Sequence, residues 1–137
     1  MNLSTSNYHI DPPGMKIKEY YQAIINIEAM LTITDSDGLY FEEPLFTVVE
    51  LADQLKKWLN AEKGEFIFET MDDDVENLLV FKPLDGGWSV YSAWENRPFS
   101  DSLTTDELVG VVEKFISDVK EGVKEHLNLD VEKLCRL

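Results

Sequence analysis

Two hydrophobic periods run along this chain, and each predicts a different element. Over residues 21–34, apolar and polar positions alternate with a period of two, which is typical of a half-buried β-strand. Residues 35–38 (Asp-Ser-Asp-Gly) predict a tight turn, and residues 39–43 the returning strand, which ends at Pro44. Shorter runs predict strands at 65–70, 77–82 and 88–95, with turns at 71–74 and 85–87. The face of the first strand is expected to bury Ala23, Ile25, Ile27, Ala29, Leu31 and Ile33.

Helical spacing of apolar residues appears at 47–60 and 105–126. Thr47 with Glu50 and Thr104 with Glu107 each predict a capping box at the start of a helix. A last short helix is predicted at 130–135. Residues 1–14 contain Asp-Pro-Pro-Gly and predict a loose N-terminal arm; an ordered extended arm, in which Tyr8 and Ile10 pack, is the alternative.

The element order β-β-α-β-β-β-α predicts an α+β fold. Because tight turns join antiparallel neighbours, we expect one antiparallel sheet of about five strands, with the two main helices packed on one face. The 137 residues, 44% of them hydrophobic, fit a single domain over 1–137.

The longest apolar-rich stretch, 23–33, is interrupted by Asn26, Glu28 and Thr32, so it is too short and too polar to cross a bilayer. The one cysteine, Cys135, cannot form an internal disulfide. No basic region followed by an apolar one opens the chain, as a secretory signal would require. We therefore expect a cytoplasmic protein.

The formal net charge is −15, which disfavours binding to nucleic-acid phosphates and to anionic membranes. It favours a basic protein partner, although an acidic surface can also serve solubility alone. The acids are concentrated. Residues 19–55 contain eight Asp or Glu and residues 64–81 contain six, and neither stretch contains Lys or Arg.

The turn residues Asp72, Asp73 and Asp74, with Glu76, form the densest acidic cluster. A solvated turn explains them most simply; a contact with basic side chains comes next, and a metal site or a catalytic carboxylate pair third. With Glu42 and Glu43 of the predicted hairpin, these residues are the candidate protein-binding contacts.

No motif predicts catalysis, a cofactor or a metal. Aligning Gly38 with the glycine of a calcium-binding EF-hand loop places Ile33 and Pro44 at ligand positions, so that match fails. His9, His126 and Cys135 lack the neighbours that catalysis needs, and no phosphate-binding glycine loop occurs. We expect a protein that is not an enzyme, although a site assembled from distant carboxylates stays open.

The residues 27–33, 39–44, 49–59 and 87–94 resemble small uncharacterised proteins of Bacillus-like bacteria, which carry a domain of unknown function. In size, charge and class the chain is also similar to immunity proteins of bacterial polymorphic toxin systems. That likeness implies binding to a toxin.

The sequence thus favours a non-enzymatic binding protein that presents an acidic face to a basic partner, with an immunity-type inhibitor as one form of it. The alternative is a small-ligand or nucleotide-binding module that uses Trp88, Tyr91 and Trp94 as an aromatic platform, although such residues more often fill a core. Monomer and homodimer are equally open.

Overall fold

The computed structural model describes residues 1–71 and 76–137, and it is mixed α and β. Within these ranges the elements are β1 (Asn2–Ile10), α1 (Tyr20–Asn26), β2 (Ile27–Asp35), β3 (Gly38–Phe46), α2 (Val48–Leu59), β4 (Phe66–Ile67), β5 (Val80–Leu84), β6 (Gly87–Tyr91), α3 (Thr105–Leu127) and α4 (Val131–Cys135).

The strands form two three-stranded antiparallel sheets, which we call sheet A (β1-β2-β3) and sheet B (β4-β5-β6). The predicted α+β class with antiparallel pairing is confirmed, but the single sheet of about five strands is wrong. The edge of β2 away from β3 is occupied by β1, so the first hairpin gains its third strand from the N-terminal segment and not from the later strands.

Two segments near the N-terminus differ from the prediction. Residues 2–10 form β1 in place of a loose arm, with Leu3 opposite Ile33 and only 2% exposed. Residues 21–26, predicted as the start of a long strand, belong to α1, which buries the adjacent Ala23 and Ile24. Strand β2 begins only at Ile27. A short apolar run fits both the helical and the strand period, and here the packing of this segment on α2 favours the helix.

The strongly periodic elements match the prediction. The inward face of β2 buries Ile27, Ala29, Leu31 and Ile33, and the hairpin turn lies between Asp35 and Gly38. Helices α2 and α3 start and end within a residue or two of the predicted positions. Residues 131–135 form the short last helix.

One of the two predicted capping boxes is confirmed. Thr104 Oγ1 accepts a hydrogen bond from Glu107 N, and Glu107 Oε1 accepts one from Thr104 N, both at 3.1 Å. At α2 the predicted reciprocal pair is absent. There Thr47 Oγ1 donates to Glu50 Oε1 at 2.8 Å, while Glu50 Oε2 accepts from Met71 N at 2.9 Å. The buried Glu50 carboxylate therefore ties α2 to the chain after β4.

Aromatic side chains fill the space between α2 and the two sheets. Trp58 of α2 makes edge contacts with the rings of Phe81 and Trp88 in sheet B, with centroids at 6.3 and 5.6 Å. Phe46 of β3 stacks on Phe68, with centroids 5.2 Å apart. These contacts join the two sheets through one continuous core.

Sheet B ends at β4, which is shorter than the predicted strand 65–70. Beyond β4, Gln54 of α2 hydrogen-bonds to both backbone polar groups of Glu69. Its Nε2 donates to Glu69 O at 2.6 Å, and its Oε1 accepts from Glu69 N at 3.1 Å. A side-chain amide thus takes the place of a neighbouring strand.

Candidate functional site

A small surface pocket lies between β3, the residues Phe68, Thr70 and Leu78, and the loop after β6. We call it the Trp94 pocket; its volume is about 120 Å³. Trp94 and Leu45, which line this pocket, are 43% and 58% exposed. Among the described residues of the pocket wall, Glu43 is the only charged one. The pocket is lined by Glu43, Leu45, Phe46, Thr47, Phe68, Thr70, Leu78 and Trp94.

Trp94 is held by packing and by its own backbone. Its ring stacks on the buried Phe41, with centroids 6.2 Å apart and the planes 8° from parallel. Trp94 N donates to Ser92 Oγ at 3.2 Å, and Ser92 N donates to the Tyr40 hydroxyl at 3.2 Å. The exposed indole is therefore presented in a defined orientation.

The loop that carries Trp94 is fastened to the β2–β3 turn by an ion pair. Arg97 Nη1 and Nη2 donate to the two carboxylate oxygens of Asp35 at 2.7 and 2.9 Å, and Ser100 N donates to the same carboxylate at 2.9 Å. The Asp35 side chain is fully buried and that of Arg97 is about a third exposed. The Arg97 guanidinium holds the pKa of Asp35 well below its usual range. A bidentate pair of this kind fixes geometry as well as charge.

The candidate acidic contacts are spread over several places. Glu43 lines the Trp94 pocket, where its Oε1 accepts from Leu45 N at 3.3 Å. Glu42 lies opposite Thr32 in the register, so it is exposed on the other face of β3. Glu76 is exposed. Asp72, Asp73 and Asp74 lie outside the described residues, between Thr70 and Leu78 of the pocket wall in sequence.

The three aromatic residues of the alternative prediction do not share a surface. Trp88 is 5% exposed in the core, and its Nε1 donates to Thr105 Oγ1 at 2.9 Å. Tyr91 is half exposed and lines a different pocket with Lys82 and Asn77. The prediction assumed that side chains alternate between the two faces of a strand as far as Trp94, but β6 ends at Tyr91. Trp94 instead lines the Trp94 pocket.

His9 and His126 contact neighbouring side chains, and Cys135 is buried. His9 Nε2 lies 3.1 Å from Glu28 Oε1, and the ring of His126 stacks on Tyr8. Burial raises the pKa of the Cys135 thiol to about 11, so the thiol is neutral at physiological pH. Within residues 1–71 and 76–137, no three His, Cys, Asp or Glu side chains come together in a group that could hold a metal ion. In the same ranges no helix has the length and apolar content needed to cross a membrane.

A family model described as a domain of unknown function, DUF7878, matches residues 3–125. The chain belongs to this family. The match begins in β1 and ends in α3, so both sheets and the Trp94 pocket lie inside the DUF7878 region. No curated protein and no solved structure matches the chain significantly.

Sequence reasoning identified Glu43 and Trp94 separately but did not place them at one site. Leu45 was missed because the returning strand was predicted to end at Pro44, whereas β3 continues through Pro44 to Phe46. Arg97 was also missed as the residue that anchors the loop, because its partner Asp35 is distant in sequence.

Proposed function

We propose that this protein is a non-enzymatic binding protein whose Trp94 pocket receives a basic protein partner. The observation that carries the proposal is that Trp94 and Leu45, both substantially exposed, lie beside Glu43, with the Trp94 ring oriented by its stacking on Phe41. An apolar anchor with a charged rim is the arrangement found at the centre of many protein–protein interfaces, where tryptophan is enriched among the residues that dominate affinity.

Charge complementarity argues for a basic partner. The chain carries a net charge of −15, and Glu43 has no cation among the described residues of the pocket wall. The acidic residues Glu42 and Glu76, together with the predicted contacts Asp72, Asp73 and Asp74, would add a long-range attraction that raises the association rate. An immunity-type inhibitor of a basic toxin domain is the specific form of this function that we favour.

The proposal is tested with two matched double variants. Glu43→Lys with Leu45→Ser changes the pocket, whereas Glu121→Lys with Leu84→Ser makes the same chemical changes on α3 and at the end of β5. Leu84 and Leu45 are similarly exposed, at 54% and 58%. A partner is captured from the source organism on the wild-type protein, purified, and titrated against all three proteins by calorimetry.

We expect a basic partner whose affinity falls by about tenfold or more in the pocket variant and hardly changes in the control. Its affinity should also fall as salt is raised. Equal binding by the two variants, or a partner that is itself acidic, would refute the proposal. If the partner is a toxin domain, co-expression with the wild-type protein restores growth and co-expression with the pocket variant does not.

A further inference from the structure

A second cavity, of about 450 Å³, lies where α1, the end of α2 and α4 meet. Its lining is unusual for so acidic a chain, since it contains the cations Lys56, Lys57 and Arg136 against one carboxylate, Asp53. The ring of Tyr20 and the side chains of Leu134 and Cys135 supply an apolar wall.

The single carboxylate is already engaged. The Asp53 side chain is 8% exposed; its Oδ2 accepts from the Tyr20 hydroxyl at 2.5 Å and from Lys57 Nζ at 3.0 Å. The Lys57 ammonium also lies 5.8 Å from the centre of the Tyr20 ring. Asp53 therefore orients one cation and one aromatic ring at the cavity and has little capacity left for a further cation.

The other two cations are free to bind a ligand. The side chains of Lys56 and Arg136 form no hydrogen bond or ion pair with any residue of 1–71 or 76–137. Because the negative charge of Asp53 offsets the positive charge of Lys57, the cavity lining has two positive charges left, those of Lys56 and Arg136. A phosphate monoester carries nearly two negative charges at neutral pH, and the planar fork of an arginine matches its oxygens better than any other side chain does.

We propose that this cavity binds a small phosphate monoester that carries an aromatic or aliphatic group. The phosphate contacts Lys56, Lys57 and Arg136, and the organic group packs on Tyr20 and Leu134. This ligand differs from a nucleic acid, whose long run of phosphates the acidic surface as a whole repels. The site is independent of the Trp94 pocket, which is built from different elements.

The competing explanation is that Lys56 and Lys57 only offset the negative C-terminal end of the α2 dipole, as cations in a last turn commonly do. That role requires no ligand and no contribution from Arg136. The two explanations therefore differ in what they predict for binding.

The test titrates the full chain with phenyl phosphate, inorganic phosphate and phenylacetate, followed by calorimetry and by the amide NMR signals of Asn60 and Arg136. Phenyl phosphate should bind with a dissociation constant of about 0.1–1 mM, more tightly than either of the other two probes. The double variant Lys56→Ala with Arg136→Ala should weaken it by about tenfold or more. The control, Lys82→Ala with Lys124→Ala, removes the same charge from β5 and α3 and should leave affinity within about twofold.

Absence of binding up to about 10 mM phenyl phosphate overturns the proposal, as does unchanged affinity in the Lys56 and Arg136 variant. Phenylacetate binding as tightly as phenyl phosphate would overturn the assignment of a phosphate ligand. Both variants change exposed or half-exposed side chains, so a folded variant is expected, and its circular dichroism spectrum verifies this.

Discussion

Gly110 and Gly122 both lie inside α3, but what surrounds them differs. Replacing an interior helical glycine by alanine ordinarily stabilises a protein by about 1 kcal/mol, because the backbone loses less conformational freedom on folding. A Cβ atom at Gly110 would meet nothing within 4 Å, so Gly110→Ala should gain that full amount. A Cβ atom at Gly122 would overlap the ring of Tyr8 and lie 2.7 Å from its hydroxyl oxygen.

Hydrogen bonds and a ring contact hold the Tyr8 side chain in place. Its hydroxyl is hydrogen-bonded with Thr5 Oγ1 and donates to the backbone oxygen of Asp118 at 3.4 Å. Its ring stacks on His126, with centroids 5.8 Å apart. Forcing extra volume into such a contact costs about 1–3 kcal/mol. The net effect of Gly122→Ala is therefore a loss of about 0–2 kcal/mol, and the two alanine variants should differ by about 1–3 kcal/mol.

Urea unfolding followed by circular dichroism measures this difference, and thermal unfolding should show it as a gap of roughly 3–10 °C. A third protein sharpens the test: in a Tyr8→Ala background, Gly122→Ala should stabilise as Gly110→Ala does. If Gly122→Ala stabilises the protein fully in the presence of Tyr8, the close packing of β1 on α3 is wrong.

Three further results are expected. Asp35→Asn should destabilise the protein by about 2 kcal/mol, because it breaks a buried ion pair. The pKa of Asp35 is lowered from 3.8 in the folded state, so the difference in free energy of unfolding between wild type and variant is fully present above about pH 4. Urea titrations should show this difference shrinking as the pH falls further. Relative to a free tryptophan derivative in the same salts, caesium should quench the protein's emission more than iodide does, because Trp94 is the exposed indole and lies beside Glu43. Trp94→Phe should abolish this preference, and equal relative quenching by the two ions would contradict an acidic pocket rim. Cys135, with a thiol pKa of about 11, should react with a disulfide reagent at pH 8 at least about 100-fold more slowly in the folded protein than in urea, and comparable rates would show that the thiol is not buried.

Elements with a long, regular pattern could be predicted from the sequence. The face of β2, the turn before Gly38 and the extents of α2 and α3 all follow from local periodicity and turn chemistry. Strand β1 could not be found this way, because only Leu3 is fully inward and the strand owes its conformation to pairing with β2. The division into two sheets has the same origin, since it depends on which distant strands pair with one another and local periodicity does not specify pairing partners.

The candidate sites were less predictable than the fold. Glu43, Leu45 and Trp94 come together through contacts between residues distant in sequence: Trp94 stacks on Phe41, and the Asp35–Arg97 pair fastens the loop to the hairpin. No local pattern encodes such contacts. The cavity at Lys56 and Arg136 combines the end of α2 with the end of α4. The net charge of −15 directs a prediction toward the acidic residues, whereas the cations of this cavity are few, and Arg136 lies far from Lys56 and Lys57 along the chain.

The amide of Gln54 has a consequence for how this protein behaves at high concentration. Open sheet edges are the places where copies of a protein add to one another strand by strand, and the growth is hard to stop once it begins. Beside β4 the two backbone groups of Glu69 are already taken by one side chain of the same molecule. Gln54 thus covers this part of the edge from within the molecule, and its replacement would leave both backbone groups of Glu69 available for pairing with a second copy.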